Sequence, residues 1–189
     1  MATLDLQVGA GADDAREADD DTGFNGTGTS ISAYSNATAS ARGNLGVRFT
    51  GVTIQGTTID VAYMAIHAVN TANDDPNVDI LAEDVDNAAN FVTTADVTSR
   101  ARTAASVAWT ATAIGAGEVN TPSIVTVIQA LADRVGFSDS AAVLFMDGKA
   151  DLSRQFAIDS YEGSTTESAK LHIEYTAGGV TFVPRVMVI

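Results

Sequence analysis

Short runs in which apolar and polar residues alternate, each followed by a glycine or an Asx-rich turn, recur along this chain of 189 residues. Alternation of this kind places one face of a segment against a core and the other against water, as in antiparallel β-strands. The strictest example is residues 171–175, Leu-His-Ile-Glu-Tyr. Further strand patterns cover residues 47–51, 59–69, 78–82, 106–110 and 141–146. The pattern predicts an all-β protein.

One segment has helical periodicity instead. Thr121 is a suitable N-cap, Pro122 suits the first helical position, and Gly136 would end the helix. The apolar residues between them share one stripe with a 3.6-residue period: Ile124, Val127, Ile128, Leu131 and Val135. Many short strands with one connecting helix predict an antiparallel two-sheet β-sandwich, of jelly-roll type, with one short α-helix.

We expect residues 1–179 to form a single β-sandwich domain. Its N-terminal part, from Gly9 to Ser30, is rich in glycine, alanine and aspartate, cannot bury much, and predicts a flexible acidic loop region with short edge strands at most. Residues 180–189 are predicted to be a C-terminal apolar strand or tail. Its apolar members could form an interface with a partner subunit: Phe182, Val183, Val186, Met187, Val188 and Ile189.

Charge and cysteine content exclude several functions. The chain has 24 acidic against 10 basic residues, a net charge of −14, which argues against nucleic-acid binding because phosphates require many Lys and Arg. The absence of cysteine excludes disulfides, thiolate nucleophiles and Cys-ligated metals. The start of the sequence has no basic and apolar export signal, and no run is long and apolar enough for a membrane anchor.

The sequence shows no catalytic motif. His67 and His172 are the only candidate bases for a Ser or Thr nucleophile. His67 lies in a segment that is apolar on both faces, and His172 lies on the polar face of its strand, so both are interpreted as structural residues. Two histidines cannot form a three-histidine zinc site, although two histidines with one carboxylate stay possible. The abundance of acids selects no glycosidase pair. We therefore expect a protein that is not an enzyme.

Two acidic segments are candidates for binding a hard cation such as Ca²⁺, because crowded carboxylates repel each other unless they are screened. Neither has the spacing of a known calcium loop, so solvated turns are the preferred interpretation and no cofactor is required. The members are Asp13, Asp14 and Glu17 in the first segment and Asp74, Asp75 and Asp79 in the second.

Aromatic side chains could form a platform for a sugar ring, as they do in many β-sandwiches. All the candidates lie in or beside strand patterns, where packing in the core or at an edge is the commoner role. These candidates are Trp109, Tyr34, Tyr63, Tyr161 and Tyr175.

Several segments together resemble a known kind of domain. The residues that carry the likeness are Asp13–Glu17, Gly46–Ile54, Glu83–Ala88, Ser99–Arg100, Thr103–Trp109, Arg134–Phe137, Ser160–Gly163 and Ala169–Thr176. The chain resembles, over residues 5–176, the DNRLRE-type jelly rolls found in phage virion proteins and as modules of large bacterial surface proteins. It departs from that pattern at Phe137, where a tryptophan is expected, and at Lys170, where proline or arginine is frequent.

The resemblance implies a function. Some of these domains are carbohydrate-binding modules, and others belong to virion proteins. A free-standing copy made in the host cytoplasm would suit a virion component of a tailed phage or archaeal virus, such as a capsid decoration or cement protein. Its partner would be the major capsid protein or another virion protein, and it would form a homo-oligomer such as a trimer. The alternative is a glycan-binding adhesion domain of a head fibre, tail or cell surface.

Overall fold

A computed structural model describes residues 1–69, 75–138 and 140–178. Within these ranges the elements are β1 (Ala2–Gln7), β2 (Asp14–Ala18), β3 (Ser30–Ser35), β4 (Gly43–Val52), β5 (Thr58–Ala68), β6 (Asn77–Ala82), β7 (Val107–Thr110), β8 (Gly117–Asn120), α1 (Val125–Ala132), β9 (Ser140–Gly148), β10 (Arg154–Asp159) and β11 (Lys170–Thr176). Two short 3₁₀ turns cover Gly11–Asp13 and Ala39–Ala41. All described strand pairs are antiparallel. The predicted all-β sandwich with one short helix is confirmed.

The strands are hydrogen-bonded in the order β1-β11-β5-β10-β3-β4-β9-β6-β7, with β2 beside β4 and β8 beside β5. Two junctions in this path consist of one residue pair each, Ile158 with Ala68 and Tyr34 with Gly43. These narrow junctions separate the β1-β11-β5 layer from the β4-β9-β6-β7 layer. Both layers contribute to one main hydrophobic core, so they face each other across it.

The strand β5 illustrates how each layer meets the core. Its buried residues include Met64 and Ile66, whereas Tyr63 and His67 are only half-buried and lie on the opposite, outer face. The segment that the sequence shows as apolar on both faces is therefore fully buried on one face alone. It is central in the hydrogen-bonding sense, because β11, β10 and β8 all pair with it, but its outer face meets solvent.

The strand β9 is covered on both sides. Its residues Leu144 and Met146 belong to the main core, whereas Val143 and Phe145 belong to a second, smaller core on the other face. The second core lies under the long connection of residues 83–106, called here the covering loop. It contains Ala15, Ala88, Phe91, Val97, Val143 and Phe145.

The helix is shorter than predicted. Its stripe of Ile124, Val127, Ile128 and Leu131 is buried as expected, but Val135 lies beyond the last helical turn and is 94% exposed. Thr121 does not cap α1. Instead its Oγ1 accepts a hydrogen bond from the Met64 backbone N–H at 3.0 Å. This bond holds the segment that precedes α1 against β5.

The acidic N-terminal segment contains a short strand, as the sequence allows, but it is more buried than expected. The predicted loop contains β2, which pairs with β4, and Asp14 and Glu17 on this strand are each 1% exposed. The acidic and glycine-rich composition does not indicate a buried strand. Asp14 and Glu17 are buried because they accept hydrogen bonds from backbone N–H groups of the protein. Residues 180–189, including the predicted interface, lie outside the described residues. Among the described residues no helix is long and apolar enough to cross a bilayer.

Candidate functional site

The first group of candidate cation ligands has protein partners. An oxygen of Asp13 lies 2.6 Å from the Arg48 guanidinium, and Arg48 also donates to the Ala88 carbonyl at 2.8 Å. Glu17 accepts hydrogen bonds from the backbone N–H groups of Val97 and Thr98 at 3.1 and 3.2 Å. Both carboxylates therefore anchor the covering loop. Asp13, Asp14 and Glu17 do not converge as one set of metal ligands in the described part of the chain.

Asp14 has an unusual environment. Its Oδ2 accepts a hydrogen bond from the Tyr161 N–H at 2.7 Å, but its buried Oδ1 has no hydrogen-bond partner. Burial raises the pKa of Asp14 to about 7, and the charges of Glu162 and Asp13 contribute in the same direction. The hydrogen bond from Tyr161 opposes this shift. Asp14 is therefore a carboxyl group that gains or loses its proton near neutral pH.

The second acidic segment is divided. Asp74 lies outside the described residues. Asp75 accepts a hydrogen bond from the Ile114 N–H at 2.9 Å, and Asp79 forms an ion pair with Lys149 at 3.4 Å. These contacts are those of a braced turn and a surface ion pair.

The outer face of β1, β11, β5 and β8 brings together groups that are far apart in the sequence. Antiparallel pairing places His172 of β11 opposite Asp5 of β1 on one side and Tyr63 of β5 on the other. His67 lies further along β5, opposite Glu118 of β8. Both histidines of the chain therefore lie on one solvent-facing layer, which we call the histidine face.

His172 is held between two carboxylates and a ring. Its Nδ1 lies 2.6 Å from Asp5 Oδ1, and its Nε2 lies 3.5 Å from Glu174. The Tyr63 ring stacks on the imidazole at a centroid distance of 4.8 Å and an interplanar angle of 28°. The hydrogen bond with Asp5 raises the pKa of His172. A protonated imidazole between these carboxylates would stabilise the pairing of β1 with β11.

A groove of about 370 Å³ lies beside this stack. Tyr63, Lys170 and His172 line it, and Asp5 and Gln7 supply further polar groups. The groove combines an aromatic ring with hydrogen-bond donors and acceptors, a combination suited to a small polar ligand.

His67 has a similar pair of neighbours. Its Nδ1 lies 2.6 Å from Asp159 Oδ2, and its Nε2 lies 3.6 Å from Glu167 Oε1. The histidine side chain is 29% exposed, and those of Asp159 and Glu167 are 19% and 50% exposed. The two-histidine site left open by the sequence is not assembled among the described residues; one histidine is grouped with two carboxylates instead.

Three of the other aromatic candidates have structural positions. Trp109 is 6% exposed and packs edge-on against Phe156 at 5.1 Å. Tyr161 and Tyr175 pack against the main core. Of the five aromatic candidates, Tyr63 is the one that lines the groove beside His172.

The histidine face could not be derived from the sequence pattern. Glu174 is two residues from His172 on one strand, so its proximity could have been inferred from the strand period. Asp5 and Tyr63 reach His172 only through the pairing of β1, β11 and β5, which no local signal indicates. The face therefore depends on topology.

The fold and this face define a class: an antiparallel β-sandwich with one polar, histidine-bearing layer. No protein-family model matches the chain, and no curated protein matches it either.

The interface predicted at Phe182, Val183, Val186, Met187, Val188 and Ile189 stays a prediction, because these residues lie outside the described part of the chain.

Proposed function

We propose that this chain is a non-enzymatic structural protein of a virus particle, either a tailed phage or an archaeal virus. In this role it coats or stabilises the capsid shell as a decoration protein, with the major capsid protein or another virion protein as its partner. The chain acts through shape and adhesion, and no chemical step is required of it.

The observation that carries the proposal is that residues of the DNRLRE-type resemblance make contacts inside the scaffold. Arg48 joins Asp13 to the covering loop, and Arg100 lies over the Phe91 ring at 4.5 Å. Trp109 packs in the main core. These contacts brace the scaffold, which supports a structural role. A rigid scaffold is what a shell-coating protein needs.

The side-chain chemistry also favours a structural role over catalysis. Among the described residues, both ring nitrogens of His67 and of His172 face carboxylates, and neither histidine hydrogen-bonds a Ser or Thr hydroxyl. A hydroxyl nucleophile needs such a base. The net charge of −14 would keep neighbouring copies soluble and repel nucleic acid.

Mass spectrometry of purified particles from the source culture tests the proposal. We expect peptides of this chain at a copy number comparable to that of the major shell protein. A handful of copies per particle would indicate a location in a tail or fibre instead of on the shell. Absence from assembled particles, or substrate turnover by the pure protein, would overturn the proposal.

The apolar C-terminal segment is proposed to contribute the oligomer interface. A closed homo-oligomer such as a trimer would engage several shell sites at once and gain avidity. Deletion of residues 180–189 should lower the mass measured by light scattering to that of the monomer, with an unchanged circular dichroism spectrum. A full-length variant with Phe182→Ser and Val186→Ser controls for chain length. An unchanged mass in both variants would contradict this interface.

The groove beside Tyr63 and His172 favours a second candidate, a glycan-binding adhesion domain. A sugar could lie on the tyrosine edge while Gln7 and Lys170 bind its hydroxyls. A glycan array would detect saturable binding that Tyr63→Ala removes. Val61→Ala is the matched control, because Val61 is an exposed residue of the same strand outside the groove. No binding by the unmodified protein would reject this candidate.

A further inference from the structure

The cluster around His67 brings three metal-ligating groups to one point of the histidine face. His67 lies on β5, Asp159 is the last residue of β10, and Glu167 lies in the connection that precedes β11. One ligating atom from each of the three lies within 4.8 Å of the others. These elements are distant in sequence, so the cluster is a product of the fold.

The segment that carries Glu167 is held by two serines that are 0% exposed. The hydroxyl of Ser160 donates to the Gly28 carbonyl, and that of Ser168 donates to the Val8 carbonyl at 3.3 Å. Because Ser168 directly follows Glu167, the backbone of this glutamate is fixed near His67. The carboxylate is thus positioned while its side chain stays open to solvent.

The two nitrogens of His67 have different roles. The 2.6 Å contact between Nδ1 and Asp159 is a hydrogen-bond distance, and in the neutral imidazole it makes Nδ1 the donor. The lone pair is then on Nε2, which faces Glu167. This arrangement, in which a carboxylate holds one nitrogen and leaves the other free, recurs behind metal-binding histidines.

The distance from Nε2 to Glu167 Oε1 is 3.6 Å, which is too long for a good hydrogen bond. Two ligands on one tetrahedral Zn²⁺, with bonds of about 2.0–2.2 Å, are separated by roughly 3.4 Å. The gap between the two atoms therefore matches an ion shared between them.

We propose that His67 and Glu167 bind a divalent transition-metal ion of the zinc class, with Asp159 as the positioning residue for the imidazole. Imidazole nitrogen suits Zn²⁺, Ni²⁺ or Co²⁺, whereas Ca²⁺ and Mg²⁺ prefer oxygen ligands. The partial exposure of all three side chains leaves space for water to complete the coordination. This site is independent of the proposed virion role.

His172 provides an internal comparison. It also has carboxylates near both nitrogens, Asp5 and Glu174. Its two distances are nearly the same as in the proposed site, 2.6 Å to Asp5 and 3.5 Å to Glu174. Its surroundings differ, because Tyr63 stacks on one ring face and because Asp5 is 72% exposed, whereas Asp159 is 19% exposed and holds its imidazole more firmly. Loss of this histidine should leave the proposed site intact.

Calorimetric titration of the tag-free full chain with ZnCl₂, at a pH where histidine is neutral, tests the proposal. We expect one ion per chain, and ¹H–¹⁵N spectra of the imidazoles should show Nε2 of His67 as the perturbed nitrogen with Nδ1 still protonated. His67→Gln and Glu167→Gln should each weaken Zn²⁺ binding by about tenfold or more. His172→Gln should change it by less than about twofold.

Several results would overturn the proposal. These are no saturable Zn²⁺ binding, equal competition by Ca²⁺, or an equal loss of binding in His172→Gln. Perturbation of Nδ1 in place of Nε2 would contradict the positioning role of Asp159. Thermal melts confirm that each variant is folded, and Glu167→Gln, at a half-exposed position, decides the matter if His67→Gln does not fold.

Discussion

At the scale of single residues, Asp14 couples stability to pH. Its pKa is about 7 in the folded chain against an ordinary 3.8, so the folded state holds a proton that the unfolded state has released. A raised folded-state pKa adds stability below pH 3.8, and that stability is lost as the pH rises to about 7. The full effect is on the order of 4 kcal/mol.

Asp14→Asn should therefore flatten this dependence. An amide can still accept the Tyr161 N–H but cannot acquire a buried charge. Urea denaturation of the variant and the unmodified chain should give similar free energies of unfolding at acid pH, with the variant the more stable above neutrality. Asp60→Asn, at an exposed position of β5, controls for the lost charge. A difference that stays constant with pH would refute the assignment of this titration to Asp14.

Arg102 is the second residue-scale feature, a partly buried arginine that is paired with the Asp147 carboxylate. Its guanidinium makes two hydrogen bonds to the Asp147 carboxylate, at 2.9 and 3.0 Å, and lies over the Phe145 ring at 3.4 Å. It also donates to the carbonyls of Val97 and Arg100, both at 2.9 Å. Burial raises the pKa of Asp147, and the hydrogen bonds and charge of Arg102 oppose that shift.

Arg102→Leu should destabilise the fold by about 3 kcal/mol, because it leaves the Asp147 carboxylate and two carbonyls without their donor. The free energy of unfolding in urea measures the loss. Arg16→Leu is the matched control, since Arg16 is half-exposed and its guanidinium lies 5.9 Å from the Tyr34 ring. Equal losses in the two variants would show that the Arg102 contacts contribute nothing specific.

At the scale of elements, the covering loop over β4 and β9 depends on a glycine. A Cβ at Gly46 would lie 2.5 Å from Phe91 Cζ and 3.1 Å from the Phe145 ring. The missing side chain therefore lets the loop bring Phe91 onto the strand. This close approach explains why β4 has glycine in the middle of a buried strand.

Gly46→Ala should destabilise the chain by about 2 kcal/mol through overpacking, and should make the covering loop more accessible. Limited proteolysis within residues 83–106, together with a melting curve, measures both effects. Gly115→Ala is the control, because no atom lies within 4 Å of its Cβ position and its change should stay within about 0.5 kcal/mol. A Gly46→Ala variant as protease-resistant as the control would contradict this packing.

The elements differ in how far the sequence predicts them. β4, β9 and β11 carry apolar residues at core positions and were predicted, as was the buried stripe of α1. β3 (Ser30–Ser35) and β8 (Gly117–Asn120) were missed, because serine, alanine and glycine carry little alternation in hydropathy. A short strand such as β2 is allowed by the sequence, but its burial is not predicted, because Asp14 and Glu17 indicate a solvated segment until their surroundings are known.

The candidate site was less predictable than the fold for a related reason. The sequence predicts His172 on the polar face of its strand, where the structure has it, but it shows the segment of His67 as apolar on both faces and gives no sign that one face is open to solvent. Whether an outer face is covered depends on the distant covering loop, which lies over β9 and leaves β5 open. Hydropathy along β5 alone cannot distinguish these cases, because Ala65 on the outer face is as apolar as a core residue.

At the scale of the whole molecule, negative charge is in large excess. Seven of the arginines and lysines in the described part of the chain are each paired with nearby carboxylates, so they do not offset the charge of the other acids. The pairs are Arg42 with Asp19, Arg48 with Asp13, Arg100 with Glu83, Arg102 with Asp147, Arg134 with Asp84 and Asp86, Lys149 with Asp79, and Lys170 with Glu118. The remaining carboxylates therefore repel one another, and this repulsion opposes the compact state.

Salt should consequently stabilise this protein. The screening length falls from about 10 Å in 0.1 M salt to about 3 Å in 1 M salt, which weakens repulsion between distant surface carboxylates more than attraction within close ion pairs. We expect the melting temperature to rise steadily with NaCl. A variant with Asp20→Asn, Asp60→Asn and Asp133→Asn, all exposed positions, should melt higher in dilute buffer and gain less from salt. If NaCl raised the melting temperature of both proteins equally, salt would act through apolar burial. If NaCl did not change the melting temperature, charge repulsion would not limit the stability of this fold.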